Sequence, residues 1–203
     1  MVCIETTGPL HGQTRTNLLC IIADDLTGAF DAAAPFAARG QSVVVALHPG
    51  ALAKALSFKC DVVAVSTQSR EISPHEAASR VAGIAASLPA GVRLFKKVDS
   101  RLKGNVGSEL TALAPKHLLV APAIPEFGRI VHNGYVSGFG IDKPISVADI
   151  LGELGKVADV PDVSSAAEMQ AALMAAPSDA LLAGARGLAE AMAVVMTGRA
   201  EKR

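Results

Sequence analysis

The sequence has no tryptophan, one tyrosine and only six phenylalanines among its 203 residues. Proteins that hold single-stranded nucleic acid stack its bases on aromatic side chains, and this chain has too few to build such platforms. It also lacks an excess of either charge. Lysine plus arginine and aspartate plus glutamate both number nineteen, so no overall field draws the protein to nucleic acid or anionic lipid. No apolar run reaches the roughly 18 residues of a membrane-crossing helix. Residues 1–16 show neither the basic n-region nor the apolar h-region of a secretory signal. Cys3, Cys20 and Cys60 are an odd number without C-x-x-C spacing, which suits free thiols in a reducing compartment. The five histidines are scattered without ligand spacing, so no metal site is expected. Neither G-x-x-x-x-G-K-[ST] nor G-x-G-x-x-G occurs. The expectation is a cytoplasmic protein with no nucleic-acid or membrane partner.

Half of the residues are hydrophobic, enough for one sizeable core. Apolar strands at 18–23, 42–47, 61–66, 92–98 and 118–121 alternate with helical segments near 27–39, 51–56, 73–88 and 106–114. Ser73-Pro74-His75-Glu76 carries a capping-box serine and glutamate with proline at the first helical position. Apolar strands that alternate with helices and lack period-two polarity indicate an open, mainly parallel sheet covered by helices on both faces, an α/β fold. Asn133-Gly134 between β-prone residues predicts a small hairpin excursion. Segments 146–155 and 164–176 read as helices, Ala180 to Ala183 as a last strand and 188–197 as a last helix. Gly184-Ala185-Arg186-Gly187 reads as a tight turn. Residues 1–16 are expected to form a flexible tail and 17–198 one domain.

In an open parallel sheet, ligands bind beyond the carboxyl ends of the strands. Four loops fall there: Asp24 to Gly28, Thr67 to Glu71, Lys97 to Gly107, and Ala123 to Arg129. Each carries more chemistry than a connector requires. Lys96-Lys97-Val98-Asp99-Ser100-Arg101-Leu102-Lys103-Gly104-Asn105-Val106-Gly107 offers charge for an oxyanion or carboxylate, hydrogen bonds from Ser100 and Asn105, and glycines where backbone can approach a ligand. Asp24 and Asp25 are adjacent at a strand end, so one carboxylate can face a ligand while the other caps the following helix. Lys96 and Lys103 read as solvated, and Glu126 with Arg129 as an ion pair closing the rim.

These segments resemble the N-terminal domain of the four-carbon acid sugar kinases. The resemblance rests on Ala23 to Ala29, Thr67 to Arg70, Lys96 to Gly107 and Ala121 to Arg129. Gly184 to Ala189 looks like a degraded glycine element that closes that domain. Members of the family phosphorylate threonate, erythronate or 3-oxo relatives with ATP and Mg2+. The resemblance implies Asp24 or Asp25 as the catalytic carboxylate, with Ser69, Arg70, Lys97, Asp99, Ser100, Arg101, Gly104, Asn105, Glu126 and Arg129 as substrate-binding residues. Arg70, Lys97 and Arg101 would meet the substrate carboxylate or the developing phosphate charge, and Asp99, Ser100 and Asn105 the substrate hydroxyls. In the family a second domain holds the nucleotide. The chain ends at Arg203, where that domain would begin, and is shortened after Arg129, so ATP is not expected to bind it alone. The expectation is a sugar-acid-binding half, paired as a homodimer or with a separate nucleotide-binding subunit. The alternative is a catalytically silent binding or regulatory module, or a truncated remnant.

Overall fold

The computed structural model describes Val2–Cys3 and residues 18–198. Six parallel strands form the main sheet: β2 (Leu19–Ala23), β3 (Val43–Ala46), β4 (Val62–Ser66), β5 (Arg93–Lys97), β6 (Leu118–Ala121) and β10 (Leu181–Gly184). Their order is β3-β4-β2-β5-β10-β6, and β1 (Val2–Cys3) adds to β3 as an antiparallel edge. Val2 and Cys3, expected in a flexible tail, are thus paired strand, and the rest of that expected tail, residues 1 and 4–16, lies outside the described residues.

Alternate residues of the central strand enter different cores, because successive side chains point to opposite faces. Leu19, Ile21 and Ala23 join Ala29 and Phe36 of α1 (Leu26–Ala38) and Leu188 of α7 (Arg186–Thr197). Leu18, Cys20 and Ile22 join Leu52 and Ala55 of α2 (Leu52–Ser57) with Val81 and Ile84 of α3 (Pro74–Ser87). Both faces of β2 are therefore dry, which explains its unbroken apolar run. The Ser73–Glu76 capping box starts α3 as expected. After β5 the chain forms α4 (Val106–Ala112), which packs on α3.

The hairpin predicted at Asn133-Gly134 is present between β7 (Arg129–His132) and β8 (Tyr135–Gly138), with both turn residues left-handed at φ 49° and 76°. It is larger than expected. β9 (Ile145–Ser146) pairs with β8 to make a three-stranded antiparallel sheet. There follow α5 (Val147–Leu151), a 3-10 turn (Gly152–Lys156) and α6 (Ala166–Ala175), which packs on α7. Among the described residues no helix is long and apolar enough to cross a membrane.

Candidate functional site

The carboxyl ends of three strands meet in register. Ala23 of β2 pairs with Ser66 of β4 on one side and with Lys97 of β5 on the other. The residues that follow each strand therefore emerge together at one edge, and two of the charged loops interlock there.

Asp24 is 3% exposed, and its carboxylate is bracketed by one guanidinium. Arg70 Nε donates to Asp24 Oδ2 at 2.8 Å and Nη2 to Oδ1 at 2.9 Å. Such a two-point fork fixes both partners in one plane. Arg70 Nη1 also lies 2.6 Å from Asp25 Oδ2, and Nη2 lies 3.9 Å from Asp99 Oδ2. The hydrogen bonds to Asp24, ahead of the surrounding carboxylate charge, raise the Arg70 pKa. Asp25 also starts a helix, since its Oδ1 accepts the Gly28 backbone N–H at 2.6 Å and caps α1. Of the two neighbours Asp25 caps the helix, as one of them was expected to, while Asp24 is buried against Arg70.

Lys97 is 5% exposed. Its ammonium donates to the Val98 carbonyl at 3.1 Å and stands 3.8 Å from Asp31 Oδ2. Burial lowers its pKa, while Asp31, Asp24, Asp99 and Asp25 oppose that shift. Asp31, on α1, was not anticipated. Its other oxygen lies 3.8 Å from Arg186 Nη1, and Arg186 Nε donates to Glu190 at 2.6 Å. The available signal was that Asp31 is the one charged residue in the otherwise apolar helix Leu26–Ala38.

The loop after β5 is shaped around Asp24. Asp99 Oδ1 accepts the Arg101 backbone N–H at 2.8 Å, leaving the Arg101 side chain exposed. Gly104 has φ +86°, and a Cβ there would sit 2.9 Å from Asp24 Oδ2, so no other residue fits without moving the carboxylate. Asn105 Nδ2 donates to the carbonyls of Ser69 and Ile72, both at 2.9 Å. Its amide therefore ties two loops together. Ser69 is fully buried and its hydroxyl donates to Glu109. Ser100 accepts from Arg129 Nη1, while Arg129 Nε and Nη2 donate to the Phe139 carbonyl at 3.1 and 2.8 Å.

Two expectations are corrected. Lys96 does not lie on a solvated face: it is 1% exposed and ion-paired with Glu109 at 2.8 Å. A strand covered on both faces has no wet side, so a lysine within it must be paired. Among the described residues Glu126 forms no ion pair with Arg129, which is committed to Ser100 and Phe139; Glu126 is exposed.

Gly184 and Gly187 serve packing. A Cβ at Gly184 would stand 2.6 Å from the Ala121 carbonyl, and one at Gly187 would stand 2.6 Å from the Ala123 carbonyl.

A family model described as a sugar-binding N-terminal domain matches residues 19–149. The chain is 39% identical over 171 residues to a D-threonate kinase of Cupriavidus necator, covering 81% of this chain and 40% of that protein. It is 37% identical over 137 residues to a D-erythronate kinase of Heliobacterium modesticaldum, covering 64% of this chain and 31% of that protein. The chain thus spans well under half of the curated relatives it matches. A crystal structure of a domain of unknown function from Bordetella bronchiseptica, a domain-swapped dimer with bound citrate, superposes with TM-score 0.75 at 29% identity, covering 88% of this chain and 56% of that one. With the motifs from Ala23 to Arg129 converging at one sheet edge, the chain belongs to the family of sugar-binding N-terminal domains found in four-carbon acid sugar kinases.

Proposed function

We propose that this chain binds a four-carbon sugar acid and forms the acceptor-holding part of a phosphotransferase. The observation that carries the reading is the Asp24–Arg70 fork beside the buried Lys97 ammonium, where the ends of β4, β2 and β5 meet. Arg70 already has both oxygens of Asp24 and one of Asp25, so its role is to hold those carboxylates rather than to capture the ligand's. The ligand carboxylate falls to Lys97, whose desolvated ammonium makes one hydrogen bond at 3.1 Å and has donors to spare, with Arg101 at the mouth. Asp25 is partly exposed and retains lone pairs to accept a proton from the attacking hydroxyl.

Kinases generally move the terminal phosphoryl group of ATP with the help of Mg2+. The carboxylates of Asp24 and Asp25 at this edge are oriented by Arg70. They fit the acceptor. The donor, in this reading, is held by further polypeptide; the domain-swapped dimer of the Bordetella structure supports a paired state.

The test is thermal unfolding with millimolar D-threonate or D-erythronate against the neutral tetritols. The acids are expected to raise the melting temperature and the tetritols to leave it unchanged, because only the acids meet Lys97 and Arg101. Equal shifts from both, or none from either, would overturn the reading. The 203-residue chain with ATP is further expected to transfer no phosphoryl group to either acid, and clear turnover lost in Asp25→Asn would place the donor site within it.

A further inference from the structure

Behind the loop that carries Arg70 lies an ion pair that solvent does not reach. Lys96 and Glu109 are each 1% exposed, with Nζ 2.8 Å from Oε2. A buried pair is rarely more stabilising than apolar side chains of the same volume, so stability alone does not account for it. Its connections do. Lys96 Nζ also donates to the Lys97 carbonyl at 2.9 Å, holding the backbone at the start of the charged loop. The other oxygen of Glu109 accepts from Ser69 Oγ. On the same turn, two residues before Ser69, Thr67 Oγ1 donates at 3.0 Å to the carbonyl of Ala23, the residue before Asp24. Through this turn and one carboxylate, the chain ends after β2, β4 and β5 are tied together.

The tie spans a strained turn. Gln68, between Thr67 and Ser69, has φ +51°, a left-handed conformation that a side-chain-bearing residue keeps only when its neighbours are held. Ser69 N donates to the Asp24 carbonyl at 2.9 Å on the same turn. The next residue out of this turn is Arg70, whose fork closes on Asp24.

We propose that Lys96 and Glu109 are a positioning pair: they hold the 67–70 turn so that Arg70 meets Asp24 at two points, and touch no ligand themselves. The consequence for ligand affinity rests on the functional reading above; the consequence for Arg70 does not.

The test uses the full chain with Lys96→Met/Glu109→Leu, which removes both charges at similar volume. A pair with a merely structural role leaves this variant as stable as the parent and its Arg70 unchanged. The readout is hydrogen exchange of the Arg70 Nε–H by NMR, assigned by its loss in Arg70→Lys. The expected result is a cooperative fold melting near the parent temperature, with Arg70 Nε–H exchange about tenfold faster or more. D-threonate affinity is expected to fall about tenfold or more in parallel. Parent-like exchange in the folded double variant overturns the proposal. Should that variant fail to fold, Ser69→Ala cuts the hydroxyl link alone, with faster exchange supporting the proposal and unchanged exchange overturning it. A parent protein that binds no tetronate sinks the functional reading, while the exchange rates still decide the role of the pair.

Discussion

At the scale of single residues, the site sets function against stability. Lys97 holds a charge where water is nearly excluded, and burial lowers its pKa from the ordinary 10.5. The sign follows from proton counting. Between the lowered folded value and 10.5 the unfolded chain binds more protons than the folded one, so stability rises with pH through that alkaline window. Below it, the buried ammonium opposes folding. Lys97→Met should therefore melt no lower than the parent at neutral pH, lose the alkaline rise, and no longer be stabilised by D-threonate. A variant that melts much lower, or still responds to the acid, argues against Lys97 as the carboxylate partner. Gly104 makes the converse case. An alanine there meets Asp24 Oδ2 at 2.9 Å in a left-handed backbone at φ +86°, so Gly104→Ala should cost about 1–3 kcal/mol in denaturant unfolding. It should weaken acid binding too, because the collision displaces the carboxylate that Arg70 grips. Unchanged stability would mean the loop relaxes away from Asp24.

At the scale of elements, the glycines of the long charged motif divide between two roles. Gly104 lets the loop pass Asp24, whereas Gly107 lets α4 approach α5: a Cβ at Gly107 would lie 2.5 Å from the Ile150 carbonyl. Gly107→Ala should lower stability by about 1–3 kcal/mol through that backbone clash, measured as a shift of the urea midpoint. Full stability would mean that α5 gives way freely. Sequence reading found the parallel strands because β2, β3, β4, β6 and β10 are buried along their whole length and so are almost wholly apolar, while β5 keeps an apolar centre between Arg93 and the paired lysines. It found the hairpin because Asn133-Gly134 supplies two left-handed residues, and the start of α3 because Ser73 and Glu76 stand three apart. It missed β9, a two-residue strand whose pairing with β8 depends on tertiary placement rather than on its own side chains. The same reasoning misplaced Lys96, although a doubly covered strand leaves no wet face for it. Glu109 escaped notice for a related reason: a single acid in a seven-residue helix looks like surface until its partner on β5 is known to be buried.

At the scale of the whole molecule, the proposed binding edge and the two cores share strand β2, and Cys20 lies in its interior. Its thiol is fully buried among Leu18, Ile22, Val63 and Val65. Burial, and secondarily the neighbouring Cys60, pushes its pKa up to about 12. The thiolate is the reactive form, so the folded protein presents almost none of it to a reagent at neutral pH. Cys20 should react only when β2 separates from β4 and β5, which means opening of the whole sheet. In a Cys3→Ser/Cys60→Ser background, the slow labelling rate of Cys20 then reports global unfolding. A ligand that binds only the folded edge should slow it by the factor one plus ligand concentration over Kd, about a hundredfold at a hundred times Kd. D-threonate is expected to give that slowing and a neutral tetritol none. Rapid labelling without denaturant would show that the sheet opens locally at β2. Labelling indifferent to an acid that binds by calorimetry would show that β2 opens without releasing the ligand, so that the opening is local and the acid is not held at the end of β2.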